Sequence, residues 1–259
     1  MLHLDGLSRY RYLLWQWTAR ELRVRYKQSL LGAGWAVLQP LALTVIFTVV
    51  FSVLVHIETG GVPYPVFVYV ALVPWTFFAN SLTFGIPSLV NNMNLVTKIY
   101  FPREILPLGT ILAALLDYVI AALVLVAMML YYRLNLSVQM LWVFPLLALQ
   151  VLFAVAVTLA GAALLVFVRD VRFVVPLLLQ VWMYATPVIY PIDMVPAPLR
   201  TYVYLNPMAG IIDGYRRAFL LGERPDLGAM VMATGITVVC LVGGWLLFKR
   251  LEPHFADVI

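Results

Sequence analysis

The chain has 259 residues, 64% of them hydrophobic and 11% charged, with a formal net charge of +5 and a mean hydropathy of +0.97. Soluble domains run at roughly 45–50% apolar and about 25% charged residues, so a water-soluble fold with a polar shell is excluded and lipid must solvate much of the surface. The apolar runs are continuous rather than alternating, which argues against a porin-type barrel; at about 20 residues per crossing the chain holds five to seven spanning helices.

Residues 1–31 form a distinct basic segment. Arg9, Arg11, Arg20, Arg23, Arg25 and Lys27 stand against Asp5 and Glu21. Gln16, Arg20, Arg23 and Lys27 follow i, i+4, i+7, i+11 spacing and share one helical face, while Trp15, Ala19, Leu22 and Tyr26 share another. A basic helix with Trp and Tyr on a neighbouring face is expected to lie in the interface plane, its rings at headgroup depth. A plain topogenic anchor is the other reading of the same charges. The segment is too polar, and the apolar run after it too long, for a cleavable signal.

Six spans are predicted next, at about 35–56, 64–90, 105–132, 139–168, 173–191 and 228–248. Gly32, Gly34 and Trp35 open the first, Pro74 and Pro87 interrupt the second, and Pro191 closes the fifth. The stretch 192–227 carries four acids and four arginines, so it is too polar to span, yet it holds apolar runs at 199–205 and 207–212. Pro191, Pro196, Pro198 and Pro207 cut it into short pieces. Two short helices that dip partway and return fit this pattern, since irregular backbone at membrane depth survives only against protein or a water-filled cavity. A plain extramembrane loop with a surface helix is the alternative.

Charge orients the spans. Residues 1–31, 91–104, 169–172 and 249–259 hold twelve of the seventeen Lys and Arg, whereas 57–63, 133–138 and 192–227 hold five. The positive-inside rule makes the first group cytoplasmic, with both termini inside.

Absent chemistry narrows the function. Lys27, Lys98 and Lys249 are the only lysines and none follows a glycine, so the Gly-Lys-Ser/Thr phosphate cradle of a P-loop is missing. ATP hydrolysis, if it drives this chain, is expected from another subunit. Cys240 is alone and His3, His56 and His254 are scattered, so no disulfide or metal-ligand spacing is present. Asp117 is the one acid well inside a span; it reads as a capped or pore-facing carboxyl, charged or neutral, more readily than as a proton relay. There is no clear inverted repeat of the kind secondary transporters use. Asp193, Asp213, Glu223 and Asp226 share one loop, but each has an arginine nearby. They read as structural ion pairs rather than as the grouped carboxylates of a metal-assisted transferase.

Between the second and third spans, 91–104 is about one short helix long and ends at a Phe101-Pro102 break. A short exposed helix bracketed by two long spans can dock into a groove on a cytoplasmic partner and rock both spans together. A simple turn would not need Ile99, Tyr100 and Phe101 in sequence.

The run Thr97-Lys98-Ile99-Tyr100-Phe101-Pro102-Arg103-Glu104-Ile105-Leu106-Pro107 resembles the signature region of ABC-2 type permeases that export polysaccharides. Arg25 to Gly32, with Trp35 and Gln39-Pro40, resembles that family's approach to the first span. Arg169-Asp170-Val171-Arg172 resembles its turn between the fourth and fifth spans. Thr186 to Pro191, with Asn206-Pro207, resembles its fifth span and outer gate. The resemblance covers nearly the whole chain in order. It implies an all-α integral membrane fold of six transmembrane helices, with an N-terminal amphipathic interface helix, a cytoplasmic coupling helix and short re-entrant outer gate helices, in a bacterial cytoplasmic membrane.

The same resemblance implies a transport subunit, not an enzyme, that pairs with a second copy of itself and with two ATPase subunits, which hold ATP and Mg. No nucleic acid is implied. The cargo would be an undecaprenyl-linked O antigen, teichoic acid or capsule-type glycan. Lys98 to Glu104, with Arg169 and Asp170, would couple to the ATPase. Arg20, Arg23, Arg25, Lys27 and Trp35 would belong to the interface helix and meet the lipid carrier, with Arg25 and Lys27 foremost for its pyrophosphate. Asn206, Pro207, Asp213, Arg216 and Arg217 would form the outer gate. Sugars present apolar C–H faces and hydroxyls, so a glycan path wants flat rings beside hydrogen-bonding groups. Trp75, Phe77, Phe78, Trp182, Tyr184 and Tyr190 are the candidate rings, with Asn80, Ser81 and Gln180 as polar companions. Lipid-facing positions would explain the same aromatics. An ABC-2 permease for a drug or a lipid, a membrane-embedded glycan transferase and a charge-coupled transporter are the competing readings.

Overall fold

The computed structural model describes residues 10–99 and 101–255, and among these every regular element is helical. Tyr100 of the coupling candidates, and residues 1–9 with Arg9, lie outside the described residues.

Helix α1 is Arg11–Tyr26, with Arg23 and Arg25 in its last turn, where cations complement the helix dipole. Helix α2, Trp35–Phe47, opens from a tight turn at Gly32–Gly34 and runs on as a wider-wound helix over Thr48–Leu54. Helix α3 is Tyr64–Gly85, followed by the short α4, Ser88–Asn91, and α5, Met93–Lys98. Helix α6 is Ile105–Tyr131. Ser137 caps a short turn over Val138–Trp142 that leads into α7, Val143–Phe167. Helix α8 is Val171–Ala185, α9 is Ala197–Val203 and α10 is Pro207–Arg216. Asp226 accepts from the Ala229 amide at 2.7 Å and starts α11, Leu227–Leu251.

Five stretches are long and apolar enough to cross a membrane: Gly32–Leu54, Tyr64–Gly85, Ile105–Tyr131, Val138–Phe167 and Leu227–His254. The predicted fifth span, 173–191, is a shorter apolar helix of 15 residues. Its early end has a local cause. Thr186 precedes Pro187, and a residue before proline is driven out of the helical region; Thr186 is extended at ψ 138°. The second span ends at Gly85 rather than at 90, just ahead of Pro87. Within the 91–104 expected as one coupling helix, the helical residues described are Asn91, the last of α4, and α5, Met93–Lys98.

Helix α3 is the axis of the bundle, with sixteen of its 22 residues buried. A helix apolar all round belongs inside, and α2, α6, α7, α8 and α10 pack around it. Helix α11 lies along α7 at close range: a Cβ on Gly244 would sit 2.4 Å from the Ala156 carbonyl oxygen. Small residues let membrane helices approach in this way.

Helix α10 is buried over all ten of its residues, while α9 has none buried. The polar 192–227 stretch therefore divides. One short helix enters the bundle and the other stays on its surface, so a wholly superficial loop is ruled out.

Candidate functional site

One end of the bundle gathers every segment that the charge count had grouped. Arg20 Nη1 donates to Asn92 Oδ1 at 3.2 Å and Arg172 Nη2 donates to Asn91 Oδ1 at 3.1 Å. Two adjacent asparagines thus tie α1 and the α7–α8 turn to the α4–α5 segment. Lys249 Nζ lies 3.1 Å from Glu104 Oε1 and 2.9 Å from Glu252 Oε2, and Arg103 donates to the Glu252 carbonyl. These contacts pin the stretch before α6 to the last turn of α11. Trp17, Leu89, Val96, Ile105, Leu106, Phe248 and Phe255 form one apolar cluster beneath them.

The N-terminal helix packs one face on α6 and leaves Tyr12 and Trp15 outward. Trp17 and Thr18 are its buried residues, while Trp15 is 61% exposed. Trp17 and Thr18 sit against Gly109, where a Cβ would come within 2.4 Å of Trp17 Cδ1 and 3.5 Å of the Thr18 nitrogen. Eight residues on, Arg25 pairs with Asp117 and the Tyr26 hydroxyl donates to Asp117 Oδ1 at 2.6 Å. Both helices thus advance eight residues, about 12 Å at ~1.5 Å per residue, in the same direction. Helix α1 runs alongside the third span instead of lying across it.

Asp117 is therefore paired with Arg25 and hydrogen-bonded by Tyr26. Arg25, expected to meet the carrier's pyrophosphate, is committed to it, with side chains only 12% and 9% exposed. Its guanidinium also stacks on Phe84 at 4.3 Å. The remaining bases face outward: Arg20, Arg23, Val24 and Lys27 line an open groove of about 530 Å³. Burial pushes the Glu21 carboxyl up, against the opposing pull of Arg20 and Arg25.

The opposite end is built around Arg216. Its Nη1 donates to the Pro187 and Tyr190 carbonyls at 2.6 and 2.9 Å, and its Nη2 to the Val188 carbonyl at 2.5 Å. Tyr64 donates to the Ile189 carbonyl at 2.8 Å. Four consecutive carbonyls of the turn after α8 are thereby satisfied without a helix, and the Phe67 ring lies 3.8 Å from the Arg216 guanidinium carbon. Asn206 caps α10 by accepting from the Met208 amide, accepts from Trp182 Nε1 at 2.9 Å and donates to Thr186 at 2.7 Å. Asp213 accepts from Arg217 at 2.9 Å and from Tyr204 at 3.2 Å. Arg200 pairs with Asp193 and Arg217 also faces Glu223. Three of the loop's four acids are thus ion-paired, and the fourth, Asp226, is a helix cap. Among the described residues no group of His, Cys, Asp and Glu could hold a metal.

A model of the family described as ABC-2 type transporter matches residues 12–220 of this chain. The chain belongs to the ABC-2 type transporter family. It is 31% identical over 244 residues to the "O-antigen export system permease protein RfbA" of Klebsiella pneumoniae, covering 93% of each chain. It is 31% identical over 259 residues to a Myxococcus xanthus protein of the same name, covering 98% of this chain and 97% of that one. It is 24% identical over 241 residues to the "Polysialic acid transport protein KpsM" of Escherichia coli, covering 90% and 91%.

On this ABC-2 chain the candidate residues fall into three groups. Lys98, Ile99, Arg169 and Asp170 are exposed at one end. Phe101 and Pro102 are half-buried there, and Arg103 and Glu104 turn inward onto α11, so those two offer no free side chain to a partner. Trp35 is exposed at the start of α2. Asn206, Pro207, Asp213 and Arg216 are buried or bonded at the opposite end of the bundle.

The six path candidates divide by burial. Trp75, Phe77 and Phe78 are buried in the core of the single chain, where Phe78 stacks on Phe153 at 5.4 Å and meets Trp182 edge-on at 5.1 Å. Tightly packed apolar spans place rings against rings before any path can claim them. Of the six, Tyr184 alone is openly exposed, with Trp182 and Tyr190 half-buried. Asn91, Asn92, Lys249 and Glu252 join the Arg- and Lys-rich end without having been singled out from the sequence. The one available signal was the surplus of polar side chains at span ends.

Proposed function

We propose that this chain is the membrane subunit of an ATP-driven exporter that moves a lipid-linked polysaccharide of the O-antigen, teichoic-acid or capsule type across a bacterial cytoplasmic membrane. The observation that carries this reading is similarity along 93–98% of the chain to permeases named for O-antigen export, joined to a basic open groove on α1. A polyprenyl pyrophosphate needs cations at headgroup depth beside apolar surface; Arg20, Arg23 and Lys27 supply the cations and Val24 the apolar wall. With Arg25 held by Asp117, these three carry the carrier's charge.

In this reading the Arg- and Lys-rich end faces the cytoplasm, both termini included. Two separate ATPase subunits bind ATP and Mg there and dock on the exposed Lys98 and Ile99, beside Arg169 and Asp170. The chain itself needs no cofactor. A second copy covers the apolar faces that the single chain leaves open, such as Val45, Val49 and Val53 on the first span and Phe173, Leu177 and Val181 on α8. Asn206, Asp213, Arg216 and Arg217 hold the outer end of the path, which opens between copies as nucleotide binding shifts the balance of two states.

The test is genetic. Deleting the gene should leave polymer on its lipid carrier inside the cell and none at the surface, and restoring the chain should reverse both. Normal surface polymer in the deletion strain would overturn the proposal. Arg20, Arg23 and Lys27 changed together to Gln should cut export at least tenfold while the chain still reaches the membrane.

A further inference from the structure

Asp117 is the one acid within the apolar part of a described span, twelve residues into α6, or about 18 Å along it. An ionised carboxylate at such depth is tolerated only when it is paired. Its partners do not come from a neighbouring span. They come from α1, ninety-odd residues earlier in the chain: Arg25 by ion pair and Tyr26 by a 2.6 Å hydrogen bond, one to each carboxylate oxygen. Both carboxylate oxygens are therefore used by the last turn of one helix.

The rest of α1 has little to hold it in that place. Trp17 and Thr18 pack on Gly109, but Tyr12, Trp15 and Val24 are 58–72% exposed. After Tyr26 the chain turns through Gln28 at φ 61° and Gly32 at φ 51°, with Leu30 fully exposed, before the first span starts. Helix α1 is thus fixed at two points along α6, one apolar and one ionic, with the exposed Arg20–Asn92 hydrogen bond between them, and is joined to α2 by an exposed turn. Beside the pair, Gln39, Thr76, Asn80 and Tyr118 join Asp117 in lining a small recess of about 10 Å³ between the first three spans, room for about one water. Those groups can solvate either charge if the two separate.

We propose that Arg25 and Tyr26 are positioning residues that clamp the end of α1 to Asp117, and that this clamp sets where the α1 basic groove stands relative to the third span. Asp117 acts as a fixed counter-charge. Releasing it frees the last two turns of α1, which carry Arg20, Arg23 and Lys27 at their margin, while the Trp17–Gly109 contact holds as a pivot. This rests on the export reading only for the meaning of the groove; the clamp itself is independent of any cargo.

The experiment uses the full chain with its co-purified partner subunits in lipid nanodiscs. Backbone hydrogen exchange is followed over residues 11–31 for the parent, Asp117→Asn, Arg25→Gln, Tyr26→Phe and the charge exchange Arg25→Asp with Asp117→Arg. Asp117→Asn and Arg25→Gln should each speed exchange over 20–27 at least tenfold while leaving 13–18 nearly unchanged. Tyr26→Phe should do so a few-fold, and the charge exchange should return protection toward the parent. Export in cells should follow the same order. Unchanged exchange in Arg25→Gln, or a double variant no better than the sum of its single changes, would overturn the clamp. Should Asp117→Asn fail to accumulate in membranes, Arg25→Gln carries the same reading, because it alters only the peripheral helix. Clamp loss with normal export would leave the clamp standing and remove its role in positioning the groove.

Discussion

Two buried arginines sit near opposite ends of this bundle and are satisfied in different ways. Arg25 meets a full charge, Asp117, on a helix far away in sequence. Arg216 has no carboxylate within ion-pair reach among the described residues and instead serves three backbone carbonyls and an aromatic face. A side-chain pair between separate helices can be broken without unmaking either helix. A guanidinium that completes the hydrogen bonding of a turn cannot be withdrawn without orphaning that turn's carbonyls. The Arg25 end is built to be rearranged, and the Arg216 end is built to hold a shape.

The same contrast runs through the surrounding contacts. At the Arg25 end most links are side chain to side chain, Arg20–Asn92, Arg172–Asn91 and Lys249–Glu104, several of them exposed, with Arg103 reaching the Glu252 carbonyl. Exposed pairs contribute little to stability, roughly 0–1 kcal/mol each. They register several segments against one another and leave them able to move together. Around Arg216 the links run into the backbone or to Asn206, and α10 is buried along its whole length.

The largest effect is expected from Arg216→Met. It leaves three carbonyls unpaired at the turn after α8 and should cost about 3–5 kcal/mol, read as a lowered Tm and loss of folded chain from membranes. Arg216→Lys should recover little, because a point charge cannot span three acceptors. If Arg216→Met proves milder than Asp117→Asn, the contrast between the ends fails. Gly244→Leu comes next: it drives a side chain into the Ala156 carbonyl, and the overpacking should cost about 1–3 kcal/mol, measured as a Tm shift of the purified chain. Glu104→Gln is expected to be smaller in stability. It should still weaken the link between the stretch before α6 and the last span, so that ATP hydrolysis by the assembled exporter continues while export per ATP falls. An equal fall in both would place Glu104 with the holding contacts instead.

Much of the fold was legible because hydropathy reports lipid contact directly; the first, third, fourth and last spans lie within a few residues of where apolar runs put them. The fifth was overextended because apolar residues continue past Thr186-Pro187, although the backbone cannot continue as helix there. Helix α10 was legible as a short apolar piece after Pro207, but its full burial was not, because that depends on Asp213 and Arg216 finding partners inside the fold, which composition does not record. The Asp117–Arg25 pair was half legible. A lone acid in a span demands a counter-charge, but nothing in the local pattern says that it comes from ninety-two residues away. The rings of α3 are buried in the single chain, and aromatic richness marks a packed axis as readily as a sugar path.

The most direct test of the whole account is reconstitution. The full chain, purified with the ATPase encoded beside it, is placed in vesicles carrying a lipid-linked polysaccharide. ATP hydrolysis should accompany the appearance of polymer on the far side of the membrane, and both should be lost when the ATPase is omitted or when Lys98 and Ile99 are changed to Asp. If no ATPase co-purifies, or if the chain alone delivers polymer without ATP, the account is contradicted.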